Sequence, residues 1–162
     1  MADAHTGLKK LQLAFPGSIL EVRTFRGEVT VTVPKKDLLA VCQFLHGDPE
    51  LKYAFLTDLS GLDFFPENPR FQVVYLLYSM KNNERLRVKT RVAEGETVAS
   101  MESVWKAANW LEREVYDLFG IAFENHPDLR RILLWDGYDG YPLRKDYPVE
   151  GPDFDKPFVP EV

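Results

Sequence analysis

Cysteine is nearly absent from this sequence of 162 residues, in which Cys42 is the one example. A single thiol excludes an iron–sulfur cluster held by cysteines of this chain, a CxxC redox pair and a four-cysteine zinc site. Cys42 falls on or beside the apolar stripe of a predicted helix, where a buried and unreactive thiol is the usual finding.

Long apolar runs and concentrated positive charge are also missing. The longest apolar runs, such as 73–78, are far shorter than the ~20 residues that span a bilayer. The formal net charge is −5, which argues against a nucleic-acid binder because phosphates are neutralised by a concentrated basic surface. Residues 1–7 resemble neither a signal peptide nor a mitochondrial presequence. We therefore expect a protein of a bacterial-type cytoplasm that reaches a membrane only through a partner.

Glycine patterns for nucleotide binding are absent as well. The sequence has no Walker lysine loop, and Gly137-Tyr138-Asp139-Gly140 does not match the dinucleotide pattern. Since no flavin or haem motif is visible, we expect the purified chain to be colourless and redox-silent.

The apolar pattern predicts an α+β fold in a single domain. We expect an antiparallel or mixed sheet of about four strands with packed helices, followed by a loop-rich extended C-terminal arm. The compact part is assigned to residues 1–121 and the docking arm and tail to 122–162. The predicted elements, in order, are a helix at 8–15, strands at 20–24 and 29–33, a helix at 36–46, strands at 53–62, 71–79 and 86–92, and a helix at 110–119. Arg26-Gly27 and Asn82-Asn83 are the predicted turns of two hairpins.

The strand at 86–92 has two chemically different faces, because apolar residues alternate with Arg85, Arg87, Lys89 and Arg91. The preferred interpretation is a solvated sheet face, since antiparallel strands commonly expose one charged face and basic side chains discourage edge pairing. Docking of an acidic partner is the second interpretation. A nucleic-acid platform is the third.

Charged residues crowd among apolar ones in the helix at 110–119, for which Gly120 is a predicted left-handed C-cap. Leu111, Val115, Leu118 and Phe119 share one face of this helix. The spacings of Arg113 and Glu114 to Asp117 predict a short ion-pair network along a neighbouring face.

Two adjacent arginines follow the helix. His126-Pro127 predicts a turn with a locally hydrogen-bonded imidazole. Arg130 and Arg131 must point in different directions, so one is expected to join the ion-pair network and the other to reach a partner.

Glu112, Glu114, Asp117 and His126 could in principle supply acid, base or metal ligands. Two carboxylates two residues apart point about 200° away from each other on a helix, and the nearby arginines would repel a cation. We expect no catalytic, cofactor-binding or metal residues. The remaining interpretations are an ion-paired core and a mixed core and partner interface, of which the second is preferred.

Two motifs in this region resemble a known family. The first is Glu112-Arg113-Glu114 with Asp117-Leu118-Phe119-Gly120-Ile121, His126-Pro127 and Arg130-Arg131, and the second is 140–148, Gly-Tyr-Pro-Leu-Arg-Lys-Asp-Tyr-Pro. Together they look like the C subunit, or 30 kDa subunit family, of respiratory complex I, the NADH:quinone oxidoreductase. The expected interface residues are Glu112, Arg113, Glu114, Asp117, Phe119, Gly120, His126, Pro127, Arg130, Arg131, Pro142, Arg144, Lys145, Asp146 and Tyr147.

This resemblance implies a non-catalytic scaffold in the peripheral arm of a proton-pumping enzyme. The implied partners are the quinone-site subunit and the subunit holding the terminal iron–sulfur cluster. FMN, iron–sulfur clusters and quinone would belong to the complex as a whole. The implied location is the cytoplasmic face of the bacterial inner membrane.

Two alternatives remain from the sequence. Membrane-bound nickel–iron hydrogenases and ferredoxin- or deazaflavin-linked oxidoreductases use a similar subunit, and the stripe at 85–91 leaves an RNA-binding module as a distant third possibility. The amino-acid sequence of the loop at 134–141 differs from that of the commoner family members. The proline-rich, acidic stretch at 149–162 is expected to be extended and to dock on a neighbour.

Overall fold

The computed structural model describes residues 5–150, so the expectation for the tail beyond Glu150 lies outside the described residues. The helices are α1 (Thr6–Ala14), α2 (Leu38–Gly47), which follows a 3₁₀ turn at Lys35–Asp37, and α3 (Ala108–Phe119). The strands are β1 (Glu21–Phe25), β2 (Glu28–Thr32), β3 (Phe55–Asp63), β4 (Phe71–Ser79), β5 (Glu84–Val92), β6 (Thr97–Ala99) and β7 (Ala122–Glu124).

Five strands form one mixed sheet in the order β1-β2-β5-β4-β3. The β2–β5 pair is parallel, and the other three pairs are antiparallel. The α+β prediction is confirmed, and the sheet has one strand more than about four. A separate parallel pair joins β6 to β7, so residues directly after the expected boundary at 121 pair with residues before it.

One face of the sheet forms the core. Val31 and Tyr75 lie on either side of Val88 in register, and all three are fully buried. Residues of α1, α2 and α3 join the same buried cluster, so the helices cover this inner face. Arg87 and Lys89 alternate with the buried residues of β5 and therefore lie on the outer face.

The helix α3 packs closely on β3 because Gly61 has no side chain. A Cβ atom at this position would lie 2.8 Å from the ring of Phe119 and 3.2 Å from Val115. Glycine therefore sets the distance between α3 and the sheet. This packing determines where the carboxyl end of α3 meets the C-terminal arm.

The turns follow the predicted chemistry. Arg26 and Gly27 both have positive φ, 50° and 84°, as the two-residue β1–β2 hairpin requires. Asn83 has φ 51° at the β4–β5 turn. Cys42 is fully buried in α2, which confirms its predicted role as a core residue. Among residues 5–150, no helix is both long and apolar enough to cross a membrane.

Candidate functional site

The end of α3 is the starting point of the candidate site. Gly120 has φ 74° and its N–H donates to the carbonyl of Tyr116 at 2.9 Å, which confirms the predicted left-handed C-cap. Phe119 and Leu111 pack partly buried against the core, as expected. The most deeply buried positions of α3 include two that are charged, Glu112 and Asp117.

Asp117 is fully buried and joins α3 to the arm. Its Oδ2 accepts hydrogen bonds from the backbone N–H groups of Ile132, Leu133 and Leu134 at 3.0, 2.8 and 2.9 Å. Its Oδ1 accepts from Arg131 at 2.7 Å. Burial raises the pKa of Asp117, but these four donors outweigh that effect and hold the pKa below its usual value.

The guanidinium of Arg131 holds the following loop in place. One amino group donates to the carbonyl and to Oδ1 of Asp117, at 3.1 and 2.7 Å. The other donates to the carbonyls of Tyr138 and Gly140, at 3.0 and 3.1 Å. The guanidinium also lies 5.3 Å from the ring centre of Tyr141. Arg131 is therefore the inward arginine of the adjacent pair.

Arg130 is the outward one. Its side chain is 73% exposed and pairs with the exposed Asp128 at 2.9 Å. The sequence prediction that the two arginines point in different directions is confirmed, although the sequence could not say which one points inward.

The predicted ion pair between Arg113 and Asp117 is wrong. Arg113 donates instead to the carbonyls of Arg130 and Arg131, at 3.1 and 2.9 Å, and Glu114 is exposed. Helical spacing permits the i, i+4 pair, but the oxygens of Asp117 are taken by four donors from the arm. Both side chains consequently bind the arm and not each other.

Glu112 is buried on the opposite side of α3. Its carboxylate accepts from Ser100 Oγ and from the N–H of Met101, both at 2.6 Å. Burial raises the pKa of Glu112 to about 7, although the two hydrogen bonds lower it. Burial and the nearby Glu112 also raise the pKa of Tyr75 and of Cys42.

His126 is hydrogen-bonded locally, as predicted. Its Nε2 lies 2.9 Å from the carbonyl of Asn109, and its Nδ1 accepts from the N–H of Asp128 at 3.0 Å. These partners assign the neutral tautomer with the proton on Nε2. Nε2 is 4.0 Å from Glu112, so the turn containing the exposed Pro127 lies against α3.

A second charged cluster, centred on Arg70, was missed by the sequence analysis. Arg70 is 5% exposed and makes two hydrogen bonds to Asp63, at 3.0 and 2.8 Å. It makes two more to Asp146, at 3.0 and 2.5 Å, and one to Glu94 at 3.1 Å. The bond from Arg70 holds the pKa of Asp63 down at about 2.

The closing motif of the arm binds to this cluster. The N–H of Lys145 donates to Asp63 at 2.8 Å. Arg144 donates to the carbonyl of Phe119 at 2.7 Å and to Glu94 at 2.8 Å. The hydroxyl of Tyr147 lies 2.6 Å from that of Tyr138, and Pro142 is half-buried nearby. The arm is therefore tied to the domain at two charged junctions.

A local signal for Arg70 did exist, because Asp63 and Arg70 flank the proline-containing loop at 64–69, seven positions apart. That spacing suggests a pair across the loop, but nothing local indicates Asp146. Within residues 5–150, no three His, Cys, Asp or Glu side chains are grouped as a metal site would require.

Large apolar side chains remain exposed on α3 and on the arm. Trp110 is 70% exposed, Leu133 61%, Trp135 60% and Leu143 51%. Leu133 and Leu143 are held against α3, because the N–H of Leu133 donates to Asp117 and that of Leu143 donates to the carbonyl of Leu118. The charged junctions thus fix a surface of apolar side chains, and exposed tryptophans are typical of protein interfaces.

Comparison with known proteins identifies the family. The family model described as the respiratory-chain NADH dehydrogenase 30 kDa subunit matches residues 31–153. The chain belongs to this family. The resemblance inferred from the two motifs is thereby confirmed, and the match includes both charged junctions.

Relatives of this 30 kDa subunit family match almost the whole chain. The C subunit of NADH-quinone oxidoreductase from Geotalea uraniireducens is 54% identical over 154 residues, 94% of this chain and 93% of the relative. The C subunit of the same enzyme from Geobacter metallireducens is 52% identical over 154 residues, 94% of each.

Solved structures share the fold. The trypsin-resistant fragment (1-134) of Nqo5 has a TM-score of 0.65 and 31% identity, covering 76% of this chain and all of the fragment. A chain of an archaeal membrane-bound sulfane sulfur reductase has a TM-score of 0.73 and 21% identity, covering 88% of this chain and 84% of its own length. The second likeness shows the fold alone.

Proposed function

We propose that this chain is the C subunit of a bacterial NADH-quinone oxidoreductase, a non-catalytic scaffold of the peripheral arm that supports the quinone-reducing module. The observation that carries this proposal is the 54% identity to the Geotalea relative over 94% of the chain. Such identity over nearly the full length of both proteins favours the same place in the same complex.

The geometry supports a scaffold role. Asp117 and Arg70 anchor the arm with charged hydrogen bonds, and the arm then presents Leu133, Trp135 and Leu143 to the outside. A preorganised apolar surface loses little conformational entropy when a partner binds. The buried carboxylates are used for anchoring, so we assign them no catalytic step.

The partners in this proposal are the quinone-site subunit and the subunit holding the terminal iron–sulfur cluster. FMN, the iron–sulfur clusters and the quinone are assigned to other subunits. The chain would lie at the cytoplasmic face of the inner membrane and be held there by these partners. The equivalent role in a hydrogenase or a ferredoxin-linked enzyme is not favoured, because the relatives are named as C subunits of NADH-quinone oxidoreductase.

The test is affinity purification of the tagged chain from its native membrane, with its partners identified by mass. The other peripheral-arm subunits and NADH-driven quinone reduction should co-purify. A Trp110→Ala, Trp135→Ala double variant should lose most of this assembly. Leu13→Ala is the matched control, since Leu13 is 82% exposed and lies on α1. Recovery of the wild-type chain without these subunits would refute the proposal.

A further inference from the structure

The outer face of the five-stranded sheet has a basic stripe at its centre. Cross-strand register places Arg85, Arg87, Lys89 and Arg91 of β5 beside Tyr78, Leu76, Val74 and Gln72 of β4. On the other side, β2 contributes Thr30 and Thr32 and β1 contributes Arg23. The described helices pack on the opposite face, so no helix within residues 5–150 covers this one.

Residues 5–150 neutralise the stripe only in part. Arg87 pairs with Glu28 at 2.9 Å and Arg91 with Glu67 at 2.7 Å. Within residues 5–150, Arg85 and Lys89 have no carboxylate within 4.0 Å. Arg85 instead lies 5.4 Å from the ring centre of Tyr78. Two cations of the stripe therefore have no close counter-charge in the described part of the chain.

Lys89 lies among other cations of this face. Partial burial and the charges of Arg87 and Arg23 lower its pKa, and Glu21 raises it by less. An ammonium group in this environment is stabilised by an added carboxylate, because the carboxylate offsets the repulsion from its neighbours.

Apolar surface lies directly beside the cations. A groove of about 370 Å³ is lined by Leu76 and Thr57 as well as by Arg85 and Arg87, and by Glu28, which is paired with Arg87. The face therefore offers a groove with an apolar wall at Leu76 and guanidinium groups at its edge.

We propose that this open face docks an acidic segment of another protein subunit, with carboxylates against Arg85 and Lys89 and an apolar side chain in the groove beside Leu76. This inference rests on the proposed function, since the partner would be a subunit of the same assembly. It adds a second interface, separate from the apolar surface of the arm.

Protein is favoured over nucleic acid as the partner for two reasons. Glu21, Glu28 and Glu67 interrupt the cations on this face, so separate carboxylates can reach Arg85 and Lys89 individually, whereas a continuous phosphate backbone would also meet the glutamates. The chain as a whole has a formal charge of −5, which opposes non-specific binding to polyanions.

Carbodiimide cross-linking tests the contact, because the reagent joins a lysine amine to a carboxylate only when the two touch. Membranes containing the tagged complex are treated before purification, and linked peptides are identified by mass. We expect Lys89 joined to an Asp or Glu of another subunit. Lys106 is the internal control, since it pairs with Glu102 of its own chain at 2.7 Å.

Two variants test whether the amine and the charge of Lys89 are needed for the contact. Lys89→Arg keeps the charge and removes the amine, so the cross-link should vanish while assembly stays normal. Lys89→Glu should lower the yield of assembled complex roughly tenfold, because like charges across an interface are strongly unfavourable.

The outcomes separate the two proposals. A chain recovered in the oxidoreductase with Lys89 unlinked, or linked only to its own Glu21, overturns the docking inference and leaves the proposed function intact. A Lys89 link to a protein outside this complex supports an acidic partner and contradicts the proposed function. Nuclease-sensitive cross-links to RNA under ultraviolet light would overturn the inference in favour of nucleic acid.

Discussion

Arg70 and Asp146 are 76 positions apart in the sequence, yet two hydrogen bonds of 3.0 and 2.5 Å join their side chains. Arg70 also holds Asp63 from the other side. A single guanidinium therefore connects the end of β3 to the closing motif of the arm, and its bidentate geometry makes arginine specific for this role.

Replacing Arg70 should destabilise the domain severely. Arg70→Ala leaves Asp63 buried without its main counter-charge, which costs roughly 3–5 kcal/mol in the free energy of unfolding. Urea denaturation followed by circular dichroism measures this loss. The control is Arg91→Ala, whose exposed pair with Glu67 should contribute about 1 kcal/mol or less. Equal effects of the two changes would contradict the central role of Arg70.

The adjacent arginines should differ sharply in their effects. Arg131→Ala removes bonds to Asp117, Tyr138 and Gly140 and should lower the free energy of unfolding by roughly 2–3 kcal/mol. Arg130→Ala breaks only an exposed pair and should cost less than about 1 kcal/mol. Thermal unfolding of the two variants provides the comparison. A loss in Arg130→Ala as large as that in Arg131→Ala would contradict the inward and outward assignment.

Glu112 should make stability fall as pH rises. Its pKa is raised in the folded protein to about 7, from an ordinary value of 4.5. As pH rises, the unfolded chain therefore releases this proton at a lower pH than the folded protein does. The contribution of Glu112 to the free energy of unfolding is fully present below pH 4.5 and is lost as pH approaches 7. Asp63 has its pKa lowered to about 2, so its contribution to stability is lost as pH falls towards 2.

Glu112→Gln tests this assignment. The amide oxygen can still accept from the N–H of Met101, and the amide nitrogen can donate to the hydroxyl of Ser100, so the variant should fold. Its urea midpoint should no longer decline between about pH 5 and 7. Glu114→Gln is the matched control, because Glu114 is exposed on the same helix. An unchanged decline in Glu112→Gln would assign the pH dependence to another group.

Cys42 should be unreactive in the folded protein. The thiol is fully buried, and burial raises its pKa, so almost no thiolate is available to react. A thiol reagent such as Ellman's should label the native chain slowly and the urea-unfolded chain at once. Cys42→Ser should assemble with a modest loss of stability, since the thiol acts as a small core group. Rapid labelling of the native chain would contradict the buried role.

Local patterns were sufficient to predict most of the fold. Alternation in β5, the Arg26-Gly27 turn and the Gly120 cap all depend on neighbours within a few residues, where side-chain periodicity and backbone preference act. The order of the strands was not predictable in this way. The parallel pairing of β2 with β5 joins residues such as Val31 and Val88 through contacts that no local pattern encodes.

The candidate site also combines features that the sequence predicts with features that depend on distant contacts. The sequence by itself determined the family, through two dense motifs, and it determined that a single thiol cannot hold a cluster. Only the tertiary structure decided that Asp117 bonds the arm and not Arg113, that Arg131 points inward and Arg130 outward, and that Arg70 belongs to the site. The physical reason is competition: a helical i, i+4 pair is worth a few tenths of a kcal/mol, and a buried carboxylate with four donors from the arm outweighs it.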